Sequence, residues 1–169
     1  MNSEIYYHGS EGATYPSLRI NWSIDNPFGP AIYLTREPIV ANCYGGAIYV
    51  VEFIRNSNFT INLNGSFRSQ TVEAREAILR IGKELGFNFD SAGKVQARGL
   101  IHPFECNTAE VNRLLADQGI WMVYGTLSGM ECSGLRDRGI QYAVIDESAI
   151  KIKQVTNYYD LVSPASTGR

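Results

Sequence analysis

The chain has 169 residues, 44% of them hydrophobic and 11% aromatic, a normal globular balance that suits one domain with one core. Its net charge of −2 and pI near 5.7 exclude a generally basic nucleic-acid glove, leaving only a local groove around Arg68, Arg75, Arg98, Arg136 and Arg138. No apolar run approaches the ~20 residues of a membrane span, and Met1-Asn2-Ser3-Glu4-Ile5 has neither the basic region nor the apolar stretch of a secretory leader, so a cytoplasmic protein without membrane contact is expected.

Ile5-Tyr6-Tyr7 predicts a short strand stopped by Gly9. Residues 11–30 carry Gly, Pro, Asn and Asp without a period and read as a long loop with room for one turn of helix. Ala31 to Leu34 is a second strand. Thr35 then suits the cap of a short helix with Glu37 and Pro38 in its first turn, ending near Gly45-Gly46. Ala47 to Ile54 is a strong strand, and Phe59 to Leu63 alternates as a half-buried one. Thr71 to Leu85 is the clearest helix, with Ala74, Ile78, Ile81 and Leu85 in one stripe and Gly86 as its stop. Residues 87–106 look irregular. Asn107 with Glu110 predicts the start of a helix carrying Val111, Leu114 and Leu115. Ile120 to Tyr124, Ile140 to Ile145 and Ile150 to Val155 are strands, and Gly125 to Gly139 is loop-like.

Strands outnumber helices and do not alternate with them as βαβ units. That predicts an α+β fold of mostly antiparallel sheets with a few peripheral helices. One domain is expected over residues 1–162, with 163–169 as a disordered tail. Cys43, Cys106 and Cys132 are odd in number and lack metal spacing, so they read as buried or free thiols in a reducing compartment. No metal, Ser-His-Asp or P-loop pattern is present, and no metal cofactor is expected.

Three patches carry the chemistry: Tyr7-His8-Gly9-Ser10; Gly29-Pro30-Ala31-Ile32-Tyr33-Leu34-Thr35 with Tyr44 further on; and Gly139-Ile140-Gln141-Tyr142-Ala143-Val144-Ile145. Each sets a polar or aromatic group within or beside a β-forming run. Taken singly, His-Gly-Ser is most simply a strand end and a turn, and the tyrosines are core pieces. Their order changes the weighing. It resembles the NAD-binding core of the H-Y-E branch of ADP-ribosyltransferases, which includes the poly(ADP-ribose) polymerases and the diphtheria-type toxins. The resemblance covers about 40 residues and leaves the middle of the chain unassigned.

The resemblance implies a split two-sheet core and a set of roles. His8 would bond a ribose hydroxyl of NAD. Gly9 would open its backbone to the nicotinamide carboxamide, glycine allowing so close an approach. Ser10 completes a His-Gly-Ser triplet like that of the polymerases, and Thr35 joins the NAD contacts. Tyr33 and Tyr44, eleven residues apart, would clamp the nicotinamide ring. Two departures matter. Ala41 stands where the polymerases carry a serine, and Gln141 stands where the branch carries its catalytic glutamate one residue before a tyrosine. A glutamine can bond the ribose 2′-hydroxyl but brings no negative charge and no general base, so chain elongation is not expected.

The expectation is therefore a mono-ADP-ribosyltransferase of His-Tyr-Gln type with NAD as co-substrate, no metal, and a protein or nucleic-acid acceptor. Such an enzyme suits a toxin or effector with an antitoxin or immunity protein as partner. The rival readings are an NAD glycohydrolase and a catalytically dead binding module of the same fold. Glu131 and Asp137 are secondary candidates for a missing charge. His102 reads as a surface or packing residue, and Arg98, Arg136 and Arg138 as solvated cations or phosphate partners.

Overall fold

A computed structural model of the chain describes residues 4–11, 16–24, 26–86, 108–126, 131–132, 135–136 and 139–163. The fold is α+β, with two principal sheets and four helices among those residues. Sheet A has the order β1 (Ile5–Ser10), β3 (Ala47–Phe53), β9 (Ile150–Thr156), all antiparallel. Sheet B has the order β2 (Ile32–Leu34), β8 (Ile140–Val144), β5 (Met122–Thr126), β4 (Thr60–Asn62). A two-residue hairpin joins β6 (Glu131–Cys132) to β7 (Leu135–Arg136). The helices are α1 (Pro38–Asn42), α2 (Val72–Glu84), α3 (Thr108–Asp117) and α4 (Tyr158–Val162).

The two sheets share a core and a seam. Tyr6, Tyr49 and Val51 of sheet A pack with Ile32, Leu34, Tyr142 and Val144 of sheet B. The other face of sheet B, with Val123, Ala143 and Ile145, is covered by Ala74, Ile78 and Ile81 of α2 and by Val111 and Leu115 of α3. Strand β8 is thus buried on both faces, which is why it reads as an unbroken apolar run after Gln141. Among the described residues one isolated backbone bridge also joins the sheets: Tyr7 N donates to Thr35 O at 2.8 Å and Thr35 N to Tyr7 O at 2.9 Å.

Several expectations need correction. Strand β1 runs through Gly9 to Ser10, because Gly9 pairs with Ile48 and Ser10 with Ala47. Thr35 does not cap α1: Glu37 holds the cap position without a side-chain bond, and the Thr35 backbone is taken by the bridge to Tyr7. Strands β4 and β5 are parallel, which requires the long connection that carries α2 and α3. The hairpin β6–β7 lies in the stretch read as loop, and α4 follows β9. Cys43 is disulfide-bonded, which overturns the free-thiol reading for that residue. The expectations for residues 87–106 and 164–169 lie outside the described residues. Among the described residues no helix is long and apolar enough to cross a membrane.

Candidate functional site

Where the sheets meet at the bridge, residues of β1, β2 and β8, the Asn26–Pro27 loop, Ala41 of α1 and Tyr44 just beyond it surround a cavity of ≈ 170 Å³. Six of the residues singled out in the sequence line it: His8, Gly9, Tyr33, Thr35, Tyr44 and Gln141. Ser10 does not; it pairs with Ala47 one position beyond. Tyr7, Asn26, Pro27, Leu34 and Ala41 complete the described wall, which carries no Lys, Arg, Asp or Glu. The volume lies below the ~300–1,000 Å³ of a drug-sized pocket, room for a small ring rather than a whole dinucleotide.

His8 has a defined tautomer. Its Nδ1 lies 2.8 Å from the Tyr33 carbonyl, which can only accept, so Nδ1 carries the proton and donates. Burial pushes the imidazole pKa below its ordinary 6.5, and the bond to Tyr33 pushes back only in part. The ring is therefore neutral at pH 7, and Nε2 is a lone-pair acceptor suited to a ligand hydroxyl.

Tyr33 sits mid-strand, its backbone paired with Ala143 of β8. Its ring lies near-parallel to Phe28, with centroids 6.2 Å apart and 20° between planes. Its hydroxyl accepts from Phe28 N at 2.8 Å and donates to the Gly29 carbonyl at 2.9 Å. One residue thus orients His8 through its carbonyl and a loop through its hydroxyl. Only the ring is offered to a ligand. Tyr44, 43% exposed, stands at the mouth.

Gly9 lines the cavity and has a further reason to be glycine, besides the one the sequence suggests. A Cβ there would lie 1.8 Å from the Ala41 carbonyl oxygen and 3.2 Å from Tyr44 Cβ. The close neighbour is the backbone of α1. Gly9→Ala should destabilise the protein by about 1–3 kcal/mol, the usual scale of overpacking. It should also displace α1 and with it Tyr44. Thermal unfolding of the variant checks this, and an unchanged midpoint refutes it.

Gln141 is 3% exposed and pairs with Gly125 of β5. Strand alternation puts its side chain on the face of Ala143 and Ile145, away from the inter-sheet core that holds Tyr142. It brings an amide and no charge. Thr35 is buried, with Oγ1 accepting from Glu37 N at 3.1 Å. Glu131 lies in β6 opposite Arg136 in register, outside the described cavity wall. Asp137, His102, Arg98 and Arg138 fall outside the described residues, and Arg68 and Arg75 lie away from the cavity wall, on the short turn before α2 and on α2 itself. No cluster of potential metal ligands occurs among the described residues.

One residue behind the site is invisible to motif reasoning. Asn112 of α3 is fully buried, and its Nδ2 donates to Phe28 O at 2.9 Å and Pro30 O at 3.1 Å. Its Oδ1 has no hydrogen-bond partner. A signal existed in the sequence: positions 111, 112 and 115 share one helix face, and Asn112 is polar among apolar neighbours.

No family model matches the chain, and no curated protein matches it. A solved structure titled "Crystal structure of an anti-CRISPR protein" is similar over 89% of this chain and 95% of that chain, at 11% identity and a TM-score of 0.49. A likeness of that degree identifies neither a fold family nor a function.

Proposed function

We propose that the chain is a mono-ADP-ribosyltransferase using NAD as co-substrate. One observation carries the reading: three patches, the first and last more than a hundred residues apart, meet in one small, aromatic-walled cavity whose described wall carries no charged side chain. The reaction breaks the C–N bond between nicotinamide and ribose. The bonding pair leaves with the nicotinamide nitrogen, and an acceptor lone pair closes on the ribose carbon. The faces of Tyr33 and Tyr44 hold the flat leaving group. His8 Nε2 accepts from a ribose hydroxyl and fixes the sugar. Gln141 bonds the 2′-hydroxyl as positive charge develops on the ring, a dipole where a carboxylate would be stronger. The cavity's small size is in keeping with the nicotinamide end inside and the adenosine end outside.

The acceptor is a protein or nucleic acid, and the role of a toxin or effector, restrained by an antitoxin or immunity protein, fits a small transferase of this kind. One alternative is a glycohydrolase in which water takes the acceptor's place. A dead binding module of the same fold is the third reading. Incubation with labelled NAD separates them. Label fixed on lysate macromolecules supports transfer, steady nicotinamide release without lysate supports hydrolysis, and neither supports the binding module.

The His8 tautomer adds a pH test. Protonating Nε2 turns the acceptor into a donor and charges a partly buried ring. NAD affinity should be flat above about pH 7 and fall once the pH drops below the His8 pKa, which lies under 6.5. Fold stability has the same sign, since the unfolded chain binds the proton at higher pH: it is full above 6.5 and declines on acidification. Binding titrations with an imidazole NMR titration check this; affinity unchanged while His8 protonates contradicts the assignment.

A further inference from the structure

The wall of the cavity opposite β1 is a short loop, Asn26 to Pro30, with Asn26 and Pro27 facing the cavity. That loop is tied down from behind. Asn112 Nδ2 holds the carbonyls of Phe28 and Pro30, while Tyr33 holds the amide of Phe28 and the carbonyl of Gly29. Gly29 N closes the turn onto Asn26 O at 2.7 Å. Gly29 has φ +79°, and a Cβ there would lie 2.6 Å from Asn112 Nδ2. The loop and the amide are therefore fitted to each other.

The orientation of Asn112 is set by chemistry: reversed, its carbonyl oxygen would face two other carbonyl oxygens. In the observed orientation Oδ1 is buried and unpaired. A leucine has the same branching and would fill this apolar niche without an orphan acceptor. The value of the residue at this place lies in its two N–H donors. Both go to the loop that walls the site.

We infer that Asn112 is a positioning residue for the cavity: it latches the Asn26–Pro30 loop and so sets the space left for the ligand. It touches no ligand itself, as it does not line the cavity. Its kinetic consequence rests on the NAD reading; the latch itself does not.

Hydrogen exchange of the parent protein comes first. The amides of Phe28 and Gly29 should exchange at least roughly tenfold slower than an open loop, since both are internally bonded. Open-loop rates in the parent overturn the latch. Next, Asn112→Leu keeps shape and removes both donors. A merely space-filling Asn112 predicts no loosening in this variant. The latch predicts at least roughly tenfold faster exchange of the Phe28 and Gly29 amides, the scale of two lost hydrogen bonds, with the amides of β5 and β8 unchanged. It also predicts a KM for NAD raised roughly tenfold, with kcat within about threefold. Unchanged loop exchange, or a fall in kcat at constant KM, overturns the role. If the leucine variant does not fold, Asn112→Ala gives the same contrast with less bulk. A parent that binds no NAD by calorimetry defeats the NAD reading and leaves the latch to be decided by exchange alone.

Discussion

Gln141→Ala should lower ADP-ribose transfer by roughly ten- to a thousandfold, the range for one transition-state hydrogen bond lost from a dry site. The side chain is almost fully buried at the cavity wall, on a strand held on both sides by β2 and β5. Removing its amide takes away a group aimed by rigid backbone rather than by a loop. NAD binding should fall much less, because His8, Tyr33 and Tyr44 remain. Gln141→Glu is the sharper comparison. It restores a carboxylate at unchanged length, so NAD cleavage should hold or rise while acceptor preference shifts. Transfer by Gln141→Ala at the parent rate would show that the third patch is only strand sequence.

Tyr33→Ala should abolish NAD binding and cost about 3 kcal/mol of stability, the low end for an aromatic truncated to alanine. The ring packs against the core under sheet B and lies near-parallel to Phe28. Its hydroxyl is shared between the Phe28 amide and the Gly29 carbonyl. Tyr33→Phe separates the two contributions. It keeps the aromatic face but strands a buried amide and a carbonyl, which costs about 1–3 kcal/mol and loosens the loop. The sequence alone suggests a mild effect for Tyr33→Phe; the loop contacts make it intermediate. Denaturant unfolding and calorimetric NAD titration read both effects. A folded Tyr33→Ala variant that binds NAD as the parent does removes this residue from the site.

The legible parts of the fold are those where local pattern and tertiary burial agree. Helix α2 is one: its stripe of Ala74, Ile78 and Ile81 is the face it buries, and Thr71 caps it by accepting from Ala74 N at 3.2 Å. Strands β3, β8 and β9 are others. The parallel direction of β4 was not legible, since alternation tells which face is buried but not which way a neighbour runs. Helix α4 was missed although Asn157 caps it, because Tyr158 and Tyr159 show no apolar stripe to bury. Two-residue strands such as β6 and β7 are too short to carry a period.

The site was legible as an ordered set of residue types, and six of its members do meet. Gly9 carries a second constraint that the sequence did not show, the close backbone of α1. A sequence can say that something must come close to an α-carbon without a side chain, but not whether that something is a ligand or the chain itself. Asn112 stood out as polar on an apolar helix face, but its role was out of reach: its partners are backbone carbonyls more than eighty residues away, and carbonyls leave no mark in a sequence.

The seam between the sheets has a mechanical meaning. Beside the cavity the two halves are joined by one pair of reciprocal amide bonds, between Tyr7 and Thr35. His8 rides on one half and Gln141 on the other. A molecule held by both acts as a rivet across a crack. Its grip adds to the core that the sheets share, and any change that parts them exposes that core as it opens the site.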